Sequence, residues 1–172
     1  MALLNLQVRI GLALRAAIAC SAVVLGAGAA HAQVDFKFEY AAKFVCGLAA
    51  TAAATAGTLP VAPGYYYTAV NVHNPSTTAL NQIQKRFVIA LPGENVGRKS
   101  GFTQEDLRAD DAMEIDCPDI AKHLDLGVGR FVKGFVDIRS TAELDIVAVY
   151  TAATSATGSV VTMTLERVPK RP

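Results

Sequence analysis

From Val34 onward the chain alternates apolar and polar residues with a period of two. Val34, Phe36, Phe38 and Tyr40 fall on one side, and Asp35, Lys37 and Glu39 on the other. A helix would mix these sets, whereas a strand sends successive side chains to opposite faces, so the pattern predicts a half-buried strand. The same parity carries through Phe44 to Cys46. A second strand is read over Tyr65–Asn74, where Val70 and Val72 oppose Asn71 and His73, and it stops at the turn dipeptide Asn74-Pro75. A third runs over Gln82–Leu91, with Ile83, Phe87, Ile89 and Leu91 against Gln82, Gln84 and Arg86. Lys85 interrupts its apolar row and predicts an edge or rim position.

A short strand, Ala112–Cys117, sets Met113, Ile115 and Cys117 against Glu114 and Asp116. Arg130–Arg139 follows, with Gly134 interrupting the row of Val132, Val136 and Ile138, a sign of a bulge or a close backbone approach. Ser140-Thr141-Ala142 is short enough for a hairpin. Glu143–Thr151 is apolar on both parities and reads as a central strand. In the last strand, Val160–Val168, Val161, Met163 and Leu165 are expected to point inward. Helix is confined to one turn at Thr103–Leu107, where Thr103 and Asp106 have capping-box-like spacing, and two turns at Pro118–Leu124. Gly47–Gly64, rich in Ala and Thr, and Pro92–Ser100 read as loops. The expected fold is all-β: an antiparallel β-sandwich of about seven strands with one or two short helical turns.

Residues 1–32 lie outside this pattern. They hold Arg9 and Arg15 and no acid, then an apolar run from Ala16 to Ala30, and end in Ala30-His31-Ala32. That is the layout of a cleaved secretory signal, which leaves residues 33–172 as a single domain, periplasmic or secreted, with no integral membrane span. Arg15 interrupts the run needed for a spanning helix, and the residues before Cys20 lack the leucine of a lipoprotein signal. Cleavage removes two of the 16 basic residues and none of the 15 acidic ones, for a net charge of −1. Such a balance offers no electrostatic footprint for nucleic acid. The chain is 52% hydrophobic and 18% charged, which excludes a disordered tail.

Cys46 and Cys117 remain once Cys20 has left with the signal. Both sit on inward strand parity, and two cysteines in an exported domain predict a disulfide rather than a metal site. The sequence has no GxSxG, HExxH, phosphate loop or dinucleotide fingerprint, and only His73 and His123 would survive cleavage. Gly127-Val128-Gly129 reads as a loop. The acids Asp110, Asp111, Glu114, Asp116, Asp119 and Asp125 lack calcium-loop spacing, and a solvated rim with helix-start carboxylates explains them; whether the stretch binds calcium stays open. No catalytic residue, cofactor or metal is therefore assigned. Three consecutive tyrosines open the second strand: Tyr66 shares the parity of Val70 and is expected in the core. Tyr65 and Tyr67 share the face of Asn71 and His73, which makes these four the candidate binding surface for a glycan or a protein of the cell envelope.

In sequence order, TAVNVHNP (68–75), FVIALP (87–92), AMEIDC (112–117) and FVKGFVDIRSTAELDIVAVYT (131–151) make a strand ending in an Asn turn, a long strand, a short one and a closing hairpin. Over this stretch the chain resembles, in architecture, the small jelly-roll sandwich of the bacterial sensory-rhodopsin transducer family. The resemblance rests on strand order and a few apolar positions. It implies a jelly-roll and carries over no functional residue; that family is cytoplasmic, whereas this chain bears an export signal. The chain also has the look of an uncharacterised exported bacterial β-sandwich family. The functional expectation is an exported, non-catalytic binding module. The alternative is a structural or assembly component of the envelope using its N-terminal strand, and a hydrolase without a recognisable motif ranks below both.

Overall fold

The computed structural model describes residues 34–49, 61–127, 129–154 and 160–172. Residues 1–33, on which the expected signal falls, residues 50–60, Val128 and residues 155–159 lie outside the described residues. Among the described residues, nine strands and one helix form: β1 (Phe38–Ala49), β2 (Gly64–His73), β3 (Asn81–Ala90), β4 (Val96–Lys99), β5 (Thr103–Leu107), β6 (Ala112–Asp116), α1 (Cys117–His123), β7 (Val132–Ser140), β8 (Asp145–Ala153) and β9 (Val160–Arg167). All strand pairings are antiparallel. The all-β antiparallel fold read from the alternation is the one that forms.

One layer holds β3, β7 and most of β1, with β4 and β5 pairing along the outer side of β3. The other holds β2, β8 and β9, with β6 beside β2. β1 belongs to both: Phe38 to Cys46 pair with β7, and Gly47 to Ala49 pair with β2. The inward rows make one core, with Tyr40, Phe44, Phe87 and Ile138 from the first layer and Val70, Val72, Ile146 and Ala148 from the second. On the side of β1 away from β7, the Val45 N–H donates to Thr68 Oγ1, and Arg171 N–H donates to the Glu39 carbonyl. The strand that suggested pairing with a neighbouring molecule is thus engaged within its own chain.

Five local expectations are corrected. Thr103–Leu107 is strand β5, not a helical turn, because it lies along the open side of β3, with Gln104 opposite Gln84 and Asp106 opposite Gln82. With four-residue β4 inside the expected 92–100 loop, β5 raises the strand count from seven to nine. Lys85 is not at an edge. β3 is flanked on both sides, and Lys85 is only 7% exposed on an inward position, its ammonium 3.0 Å from Glu105 Oε1 at the margin of the layer. β7 and β8 do not make a hairpin, since β7 pairs with β1 and β3 while β8 pairs with β2 and β9. The chain crosses between layers there, and buried polar groups satisfy the backbone of the crossing. Asn81 Oδ1 accepts from Ala142 N–H and Asn81 Nδ2 donates to the Ala142 carbonyl, while Leu144 N–H donates to the Tyr40 hydroxyl. Finally, Met163 and Leu165 do not enter the core. They are 62% and 63% exposed on β9, the outermost strand of its layer.

Gly134 is a close approach, as its place in an apolar row suggested. A Cβ there would lie 1.9 Å from the Val88 carbonyl oxygen and 2.8 Å from the Phe44 ring, and β7 keeps its register through it. The expected helix also forms. Asp116 is its N-cap, accepting from Asp119 N–H while Asp119 accepts from Asp116 N–H, with Pro118 in the first turn. Arg98 donates to the Leu124 carbonyl beyond its C-terminus.

Candidate functional site

The four residues of the expected binding surface lie on one face of β2 but not in one site. Tyr65 and Tyr67 are 47% and 42% exposed; Asn71 and His73 are half-buried. Tyr67 and His73 are six residues apart along a strand, roughly 20 Å at the usual rise. At the far end His73 Nε2 lies 3.1 Å from Asp110 Oδ1, and Asn71 faces Val147 on β8 and Glu114 on β6. His123 is structural: its Nδ1 donates to the Asp119 carbonyl at 2.8 Å, and its ring packs tilted against Phe87, with centroids 4.9 Å apart. Among the described residues no three His, Cys, Asp or Glu side chains converge as a metal site.

The tyrosine end is different, because β1, β2, β8 and α1 meet there around a cavity of about 480 Å³. Cys46 and Cys117 are disulfide-bonded, with Cα atoms 5.6 Å apart, and the bond forms part of the wall. It ties the end of β1 to the start of α1, and Thr68 N–H donates to Cys117 Sγ. Tyr65 and Tyr67 of β2 and Thr151 of β8 form one side, Pro118 and Ala121 of α1 another. Leu126 and Arg130 complete the rim. Gly47 lets the rim segment close on β1: its φ is +93°, a Cβ would meet the Arg130 carbonyl oxygen at 2.3 Å, and Leu48 N–H donates to the Gly129 carbonyl. Tyr66 also reaches this cavity and is not a core residue. It is half-buried, donates to the Ala62 carbonyl at 2.6 Å and meets Phe131 edge-on at 5.9 Å. A neighbouring cavity of about 380 Å³ shares Leu126, Arg130 and Val132.

Tyr67 connects the sheet to the helix. Its hydroxyl donates to Asp116 Oδ2 at 2.7 Å, while the other oxygen of that carboxylate caps α1. Burial, then the hydrogen bond to Asp116, then the charges of Asp116, Glu114 and Asp119 push the phenol up to about 12. A raised folded value means the contribution of the phenol to stability is complete below pH 10, its ordinary value, and is lost as pH rises through about 12. Asp116→Asn should bring the ionisation of Tyr67 down toward 10. Phenolate absorbance titration will show this, with Tyr67→Phe identifying the signal; an unchanged midpoint would assign the shift to burial alone.

No family model matches the chain, and no curated protein matches it. Among solved structures, the crystal structure of Thermotoga maritima 1070 is similar over 80% of this chain and 96% of that one, at 6% identity and a TM-score of 0.47. At that level the likeness assigns neither a family nor a function. Among the described residues, no helix is long and apolar enough to cross a membrane.

Sequence reading found Tyr65, Tyr67 and both cysteines and missed the rest of the cavity. Ala121, Lys122, Leu126 and Arg130 carry no local motif. They matter only because the disulfide and Gly47 fold α1 and the segment after it against β2.

Proposed function

We propose that this protein is an exported, non-catalytic binding module whose ligand site is the cavity beside the Cys46–Cys117 bond. The observation that carries the reading is the cavity itself. At about 480 Å³ it falls within the roughly 300–1,000 Å³ of small-molecule sites, and its wall is a disulfide, aromatic rings and small residues. Such a wall supplies contact area for the apolar part of a ligand or of an envelope glycan or protein. Export is supported by the signal-like residues 1–32 and by a disulfide, which persists in oxidising compartments.

The test is fluorescence titration with N-phenylnaphthylamine, an uncharged aromatic probe. Wild type should bind it saturably, and Thr151→Trp, which fills the cavity from β8, should weaken binding by about tenfold or more. Absence of saturable binding, or binding indifferent to Thr151→Trp, would remove the cavity from consideration. Turnover of a generic esterase, glycosidase or peptidase substrate that is lost in His73→Ala would overturn the non-catalytic reading.

A further inference from the structure

The electrostatics of the cavity narrow its ligand. Lys122 and Arg130 border it, both exposed, and among the described residues none of the side chains lining it is acidic. Neither cation makes an ion pair among the described residues, whereas Lys85, Arg86, Arg139 and Arg167 are each held by a carboxylate. Lys122 stands in the last turn of α1, where a cation is favoured in any case. Arg130 stands on a loop with no such reason, its backbone N–H bound to the Gly127 carbonyl. We propose that the cavity takes an amphipathic organic anion, with an apolar or aromatic body against the disulfide and the tyrosines and a carboxylate or sulfonate at Lys122 and Arg130. A highly charged, fully polar anion fits poorly, because it would leave the apolar wall without a partner and would have only two exposed cations to meet it.

This rests on the cavity being a binding site, and the experiment separates the two claims. Anilinonaphthalene sulfonate and N-phenylnaphthylamine share their ring system and differ in the sulfonate. Each is titrated into the disulfide-bonded protein, into the Lys122→Ala/Arg130→Ala double variant and into Thr151→Trp. Two exposed cations at about 0.5–1 kcal/mol each correspond to about a tenfold loss for the sulfonate probe in the double variant. The uncharged probe should change by less than about twofold, and added salt should weaken only the sulfonate probe. Thr151→Trp should weaken both, which separates the cavity from exposed apolar residues such as Met163 and Leu165. If the double variant weakens both probes equally or neither, while Thr151→Trp still blocks both, the anion inference fails and the cavity stands. If neither probe binds saturably, both claims fail. An unchanged thermal midpoint for the double variant shows that the fold is intact.

Discussion

Replacing Cys46 and Cys117 together by alanine is expected to destabilise the protein by about 4 kcal/mol and to lower its melting temperature by about 10 °C. The two cysteines are 71 residues apart in sequence, so the bond removes a large loop from the freedom of the unfolded chain. All of β2 through β6 lies inside that loop, as does the 50–60 stretch of Ala and Thr, which has little side-chain surface to bury. The double substitution is the cleaner experiment, because Cys46→Ala alone leaves a thiol at Cys117. Urea unfolding of the oxidised protein and of the double variant gives the difference, and intact mass after alkylation reports the bond. Two alkylatable thiols in unreduced protein would contradict it. A loss below about 1 kcal/mol would mean that the unfolded ensemble already holds these segments together.

Gly134→Ala is expected to cost about 3 kcal/mol, a large effect for one methyl group. The methyl carbon would sit 1.9 Å from the Val88 carbonyl oxygen, a backbone atom that no rotamer change can move. β7 is held between β1 and β3, so relief means spreading a layer at its centre. Gly101→Ala is the control: nothing lies within 4 Å of a Cβ there and its φ is not positive, so it should be neutral or slightly stabilising. Equal melting temperatures for the two variants would show that β3 and β7 can part without cost.

What could be read from the chain, and what could not, follows from how far apart the determinants lie. Alternation located most strands because burial of one face acts residue by residue. It gives the period of a strand and not which face is buried, and so Met163 and Leu165, perfectly spaced for the core, face outward. Thr103–Leu107 contains Gln, Glu and Asp in succession and has no strand signature of its own; its conformation comes from the open side of β3. Lys85 looks impossible in an interior strand until β5 is present to bring Glu105 to it. Likewise, a three-residue link between two strands suggests a hairpin, and only the buried Asn81 and Tyr40, far away in sequence, show that the chain crosses between layers. The proposed ligand cavity is half legible for the same reason: Tyr65 and Tyr67 share a strand, whereas Lys122 and Arg130 come to its lining from α1 and the segment before β7.

The sharing of β1 between layers has a kinetic consequence. Phe38 pairs with Ser140 and Cys46 with Val132, so the first strand of the domain waits for nearly the last third of the chain before it finds its partner. Loop closure must then precede most of the stabilising contacts, and chains dominated by such distant pairings fold in roughly milliseconds to seconds rather than microseconds. On an emerging chain, Phe38, Tyr40 and Phe44 stand in a row on a strand whose ladder stays open until β7 arrives. That is the kind of segment a holding chaperone binds and an aggregate recruits, so the yield of this protein should depend more on how it is handled during synthesis than on the stability it finally attains.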